Sequence, residues 1–268
     1  MNIVGLLSKV LPSSMKERLK SSAFFDCYIR YVNRNNYPIS LDYLKAQEWI
    51  KNAKNMVDLG CGSSPHWKAS VAVDKYIEPL HRKFGGNEKI DVSKMRSQGI
   101  KFIKADLENL PFKDNEFDLA YSHHVVEHLD NPALAMEEMM RIAEGGVIIC
   151  PGMLAEHVFG RKYHKWIVTS RKNLLIFIEK NWEMPLFGEG PFVINGKTKK
   201  SKNCNPFDLL LNDGNWYHGR DKYKNLSHLI RKYWYGHDNC METCFLWKKA
   251  FNYIVIYNDG RIISSFDQ

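Results

Sequence analysis

The chain predicts a doubly wound α/β domain built on a mostly parallel sheet, and three observations carry that expectation. Between residues 55 and 151, short apolar runs (NMVDLG, SVAVDK, IKFIKAD, FDLAYSH and GVIICP) alternate with helix-like stretches. Each run has the length of a strand and is rich in Val, Ile, Phe or Leu, the composition of strands covered on both faces. A glycine turn, Gly60-Cys61-Gly62, follows the first run directly, where an open parallel sheet places its ligand.

Taken in order, residues 14–33 predict a basic helix with Leu19, Phe24, Cys27 and Tyr31 available to one face. Residues 41–54 predict a second helix using Leu41, Leu44 and Trp49. Residues 1–54 then form a helical cap; the alternative is that the basic helix is a lid or a peripheral contact with an anionic membrane surface. The core follows over 55–152. Inside it, DNPALAMEEMMRIAEGG reads as a helix capped by Asn131, with Pro132 in its first turn and Gly145-Gly146 ending it. Residues 153–239 are expected to form a substrate-binding elaboration. There Thr169 would cap a core helix over 170–181, WEMPLF would form a strand, and 188–206 would form a loop rich in Gly, Asn and Lys. Over 240–268, ETCFLW and FNYIVIY are expected to be two strands that complete the core sheet.

Composition narrows the class. Hydrophobic residues at 44% and charged residues at 25% exclude a disordered chain. The net charge of +8 favours encounter with anions: nucleotides, phosphorylated sugars, acidic glycans, nucleic acid or an anionic membrane. No run approaches the ~20 apolar residues of a spanning helix. The first apolar run, broken at Ser8 and Lys9, has neither the basic start nor the cleavage site of a secretory signal. Six scattered cysteines, with Cys240 and Cys244 lacking a second ligand pair, read as reduced thiols of a cytoplasmic protein.

The sharpest motif is Val57-Asp58-Leu59-Gly60-Cys61-Gly62-Ser63-Ser64, at the end of the first strand and before a helix-like turn. Glycine lets the backbone approach a ligand, and amides at a following helix start can face an anionic group. A dinucleotide fingerprint would need a further glycine where Pro65 stands. Four more segments follow: VAVDKY, KADLENLPFKDNEFDLAYS, SHHVVEHLDNP and RIAEGGVIICP. In order and spacing, residues 55–151 resemble the class I S-adenosylmethionine-dependent methyltransferases, in their type 11-like branch. The resemblance implies a Rossmann-like methyltransferase fold with an antiparallel last strand, and S-adenosylmethionine as cofactor. It implies cofactor contacts from Asp58, Gly60, Cys61, Gly62, Asp74, Asp106, Leu107, Ser122 and His123. Asp74 would accept the ribose hydroxyls, and Asp106 and Leu107 would lie beside the adenine, with Phe112 as a second apolar wall. Two departures from the family pattern are Ser64, where many members have glycine, and Ala143-Glu144 in place of Lys-Pro.

His123, His124, Glu127 and His128 form the candidate cluster for chemistry. His124 or His128 would act as general base toward a hydroxyl acceptor; the alternative is that Glu127-His128 sit on a helix that shapes the cofactor pocket. On such a helix His124 and His128 would share one face. The order His-Val-Val-Glu-His differs from the metalloprotease His-Glu-x-x-His, so no metal is expected. His164, Trp166, Trp216, Tyr217 and Arg220 are candidate acceptor contacts, since aromatic faces stack on sugars and bases while Arg holds phosphate or carboxylate. Core packing is the competing reading of each. The expected function is O-methylation of a sugar or glycan precursor. Methylation of RNA or another nucleic acid is the alternative, without a dedicated binding module, and a non-catalytic methyltransferase-like binding protein is the third.

Overall fold

The computed structural model describes residues 41–78, 89–159, 163–180, 192–194, 197–199 and 242–267. Outside them lie the basic helix expected over 14–33, the strand WEMPLF, and Trp216, Tyr217 and Arg220.

A six-stranded sheet forms the core. Its strands are β1 (Met56–Leu59), β2 (Val71–Asp74), β3 (Lys101–Lys104), β4 (Leu119–His123), β5 (Gly145–Pro151) and β10 (Glu242–Lys248), in the order β10-β5-β4-β1-β2-β3. All pairings are parallel except that of β10 with β5. The expected mostly parallel sheet with an antiparallel last strand is therefore present.

Alternation along the strands sorts the helices onto two faces. Met56, Leu119, Val147, Ile149 and Cys244 cluster with Ala46 and Ile50 of α1 (Leu41–Asn52). Ala72 on the same face packs with Met95 of α2 (Val92–Ser97). The opposite residues, Val57, Leu59, Ala120, Ile148 and Phe245, pack on Met136, Met139 and Ile142 of α3 (Pro132–Ile142). Asn131 caps α3 as expected, its side chain accepting from the Leu134 amide, with Pro132 in the first turn. On α1, by contrast, Ala46 and Ile50 are the buried residues and Leu44 is 44% exposed, so the expected apolar face is rotated.

Gly145 and Gly146 do not end α3 as a turn. The helix ends at Ile142, and the two glycines open β5. A Cβ on Gly146 would lie 2.6 Å from Trp247 Nε1 and 2.7 Å from the Ala120 carbonyl oxygen, so close packing of β4, β5 and β10 explains the glycine.

A second sheet covers the α3 face. It joins β12 (Ile262–Ser264), β11 (Asn252–Ile256), β7 (Leu174–Glu179) and β6 (Trp166–Arg171) in that order, after α4 (Met153–Phe159). Two expectations are corrected here. Residues 170–181 are no helix: β6 and β7 pair antiparallel, with Lys172 at a positive φ of 55° between them. Period-two burial of Leu175 and Phe177 under the sheet outweighs the cap offered by Thr169. Of the last two strands, only β10 completes the core sheet; β11 pairs with β7 and β12. A third correction concerns the loop over 188–206, which contains the antiparallel pair β8 (Phe192–Ile194) and β9 (Lys197–Lys199). The intervening Asn195-Gly196 is a strong hairpin signal in the sequence.

Gly146→Ala is expected to lower unfolding free energy by about 1–3 kcal/mol, the range for forced overpacking. Leu134→Ala, at a side chain 45% exposed, should shift it by under about 0.5 kcal/mol. Urea melts of both variants against the parent check the pair.

Candidate active site

Chain order reverses between β1 and β4, since β2 and β3 lie to one side and β5 to the other. Ligands of open α/β sheets sit outside the carboxyl ends of the strands at such a switch point. The candidate residues can therefore be followed along one edge.

At the end of β1 the chain turns through Gly60 and Gly62 at φ 78° and 59°, a left-handed backbone that favours glycine. The amides of Gly60 and Cys61 both donate to the Val73 carbonyl, at 2.8 and 3.0 Å, which ties the turn to β2. Asp74, at the end of β2, accepts from the Gly62 amide at 3.0 Å and the Tyr76 amide at 2.9 Å. Asp58 is buried and accepts from the His66 amide at 2.6 Å. Burial pushes its pKa up to about 7 against that hydrogen bond, with the charge of Asp74 adding to the rise. No helix follows this turn: residues 60–70 run through turns and bends to β2, so the expected helix start is absent.

The Gly60 turn also touches the loop after β4. A Cβ on Gly60 would stand 2.3 Å from Val125 Cγ2, so the close approach that requires glycine is to Val125. Past β4, His124 takes a positive φ of 55°, and Val126–His128 form a single 3-10 turn. The expected helix carrying His124 and His128 on one face is thus replaced by a tight loop. Its groups converge nonetheless. Glu127 is fully buried, with His124 Nδ1 at 3.5 Å and His128 Nε2 at 3.8 Å from its Oε1. His124 Nε2 lies 3.6 Å from Glu242 Oε1 on β10.

These contacts decide protonation. Desolvation opposes charge on His124, but Glu127 and Glu242 outweigh it and raise its pKa to about 10. Despite its own desolvation, Glu127 falls to about 2 in response to the imidazoles of His124, His128 and His164. Desolvation lowers His128. An imidazolium between two carboxylates offers no lone pair, which speaks against His124 as a base. His128 is the neutral ring.

A second set of groups arrives from the β6–β7 hairpin. The Lys165 amide donates to the Glu127 carbonyl at 2.8 Å, and Trp166 Nε1 donates to the Leu129 carbonyl at 2.8 Å. This places His164 beside His128, their ring centroids 4.8 Å apart. His164 Nδ1 pairs with Glu156 Oε1 of α4, whose other oxygen meets Lys180 Nζ at 3.0 Å. Glu156 and Lys180 are buried, and neither they nor Glu242 were read as site residues from the sequence; no local spacing links them to His128.

Other candidates fall elsewhere. Trp166 is 2% exposed and packs edge-on to Phe177, a core residue and not an acceptor contact. Leu107 and Phe112 are buried in the main apolar cluster. Ser122 is fully buried in β4, and its Oγ has no hydrogen-bond partner among the described residues. Asp106 forms an ion pair with Lys75 at 2.6 Å. Cys61 is buried within the turn. His123 lies exposed at the end of β4.

Residues 57–150 match the family model described as a methyltransferase domain. An uncharacterized methyltransferase of Schizosaccharomyces pombe is 24% identical over 144 residues, 47% of this chain and 51% of that protein. An uncharacterized protein of Methanocaldococcus jannaschii is 33% identical over 97 residues, 35% of this chain and 47% of the other. A demethylmenaquinone methyltransferase of Paenarthrobacter aurescens is 32% identical over 99 residues, 36% of this chain and 37% of that protein. The chain spans about half the length of the first two. A solved S-adenosylmethionine-dependent methyltransferase of Thermotoga maritima shares 22% identity over 55% of this chain and 67% of its own, with a TM-score of 0.32. Residues 57–150 carry a methyltransferase domain, of the class that uses S-adenosylmethionine as methyl donor. Among the described residues, no helix is long and apolar enough to cross a membrane.

Two outcomes follow from the turn. Gly60→Ala is expected to destabilise strongly; a Val125→Ala background removes the contacts at 2.3 and 2.6 Å and keeps only that of Cβ at 3.0 Å, so most of the steric part is relieved and about 1–2 kcal/mol from the left-handed backbone stays. Thermal melts of the double-mutant cycle read both parts. For Asp58, the folded pKa of about 7 lies above its ordinary 3.8. Its contribution to stability is therefore complete below the ordinary value and lost as pH rises through about 7. Asp58→Asn should flatten the fall in stability across that window, measured by urea melts at successive pH.

Proposed function

We propose that the protein transfers a methyl group from S-adenosylmethionine to a hydroxyl of a sugar or glycan precursor. One observation carries the reading. The Gly60–Gly62 turn and Asp74 lie on the same sheet edge as an imidazole-carboxylate cluster, and Gly60 and Val125 hold the two loops in contact. The first part suits the cofactor. Each carboxylate oxygen can accept more than one hydrogen bond, so ribose hydroxyls can join the two amides that orient Asp74. The second part suits an oxygen acceptor, which must lose a proton as it attacks the methyl carbon in line. His128 is the neutral imidazole of that cluster.

The net charge of +8 and the aromatic, basic segment containing Trp216, Tyr217 and Arg220 support an acidic or phosphorylated sugar over an apolar acceptor. The same charge would suit RNA, whose phosphate contacts would make binding steeply salt-dependent.

Two measurements test the proposal. Asp74→Ala should weaken cofactor binding by about 1.5–3 kcal/mol in calorimetry while leaving the fold intact. Incubation with methyl-labelled S-adenosylmethionine and a panel of sugars, nucleotide sugars, lipids and RNA should give one extra methyl group on a sugar-containing acceptor. Label on RNA alone would overturn the choice of acceptor, and unchanged affinity in the Asp74 variant would remove it from the cofactor site.

A further inference from the structure

The cluster beneath the 3-10 turn has the construction of a metal site. Glu127 is fully buried; His124 Nδ1 stands 3.5 Å from its Oε1, yet neither carboxylate oxygen has a hydrogen-bond partner among the described residues. The His124 imidazolium answers part of this charge, and a cation between His128 and His164 would complete it. The two imidazoles beside it are oriented from behind. His128 Nδ1 lies 3.2 Å from the Tyr163 carbonyl oxygen, and His164 Nδ1 lies against Glu156. A carbonyl or a carboxylate only accepts, so each Nδ1 must carry the hydrogen, and in the neutral ring each Nε2 then keeps its lone pair for an ion. Carboxylate or carbonyl behind one ring nitrogen, with the other turned to an ion, is the usual support of metal-binding histidines. Glu156 is itself held by the buried Lys180.

We infer that His128 Nε2, His164 Nε2 and the Glu127 carboxylate bind a divalent first-row transition cation, with Glu156 as a positioning residue. One ligand atom from each of the three lies within 4.8 Å of the others. Metal–ligand bonds of about 2.0–2.2 Å set neighbouring donors roughly 3–3.5 Å apart, so adjustments of about an ångström close the set. Two imidazoles and one carboxylate suit Zn, Co, Mn or Fe in the divalent state and leave positions open for water or an acceptor oxygen. In the methyl-transfer reading, on which this consequence alone rests, a hydroxyl bound there loses its proton more readily.

The test uses the full chain after chelator treatment. Addition of Co²⁺ should produce visible d–d bands that saturate at one ion per chain and disappear on displacement by Zn²⁺. Ring protons of His128 and His164 should show large paramagnetic shifts in the parent protein, a readout independent of any variant's folding. Glu127→Gln and His164→Ala should each lower affinity by at least about 100-fold, and Glu156→Gln by about 10–100-fold. His157→Ala, on the exposed side of α4, should match the parent. Binding no stronger in the parent than in a Glu127→Gln, His164→Ala double variant would overturn the site and leave Glu127 as an ion-pair partner of His124. Because the readout is the ion, Co²⁺ bound at these side chains supports the site even where no acceptor is methylated. A chain that methylates an acceptor yet binds no Co²⁺ or Zn²⁺ overturns it.

Discussion

The buried carboxylate of Glu127 is the constraint around which the site is arranged. A charge placed in the interior must be met by hydrogen bonds or opposite charge. Here the answers come from distant parts of the chain: His124 and His128 in its own loop, and His164 across from it on the segment leading into β6. The same loop supplies the backbone that docks the hairpin, through the Glu127 and Leu129 carbonyls. Electrostatics and topology are therefore coupled at one place. The second sheet contributes a histidine to the edge of the first because its leading strand is tied to the loop that carries the charge.

A second constraint sets the spacing of the two halves of the site. Gly60 and Val125 meet by van der Waals contact, so the Gly60–Gly62 turn and the histidine loop approach as closely as a missing side chain permits. Hydrogen bonds then hold each half internally: the Val73 carbonyl under the turn, and the Ile149 carbonyl under the His124 amide at 2.8 Å. Volume at residues 60 and 125 is thus a control on the distance between Asp74 and the imidazoles, separate from the chemistry of either.

Much of the core was legible in the sequence because a parallel sheet buries both faces and leaves continuous apolar runs at regular intervals. The Asn131 cap and Pro132 were legible because they act within one turn. The errors share a cause in long-range packing. Thr169 offered a helix start, yet Leu175 and Phe177 are buried at period two under a sheet whose other strand, β11, lies far along the chain. Gly145 and Gly146 looked like a stop signal, and their cause is Trp247 across the sheet. Trp166 looked like a ligand contact, whereas its indole nitrogen serves the Leu129 carbonyl inside the core. The histidine cluster was visible as residues but not as geometry. Its spacing was judged on a helix, and the chain instead makes a 3-10 turn and draws its third imidazole from His164.

The energetics explain why these charges read as functional. At an effective dielectric near 20, opposite unit charges about 3.5 Å apart gain roughly 5 kcal/mol before desolvation is counted, and desolvation of each buried ion costs several kcal/mol. The buried Glu156–Lys180 pair behind His164 is therefore close to neutral for folding. Apolar side chains of similar volume would stabilise the fold at least as well. What the charges provide is orientation: each holds a neighbouring ring in one tautomer and one direction, which packing alone does not do. Beside the β1–β4 switch point, where open α/β sheets receive their ligands, such orientation is what a chemical use would require.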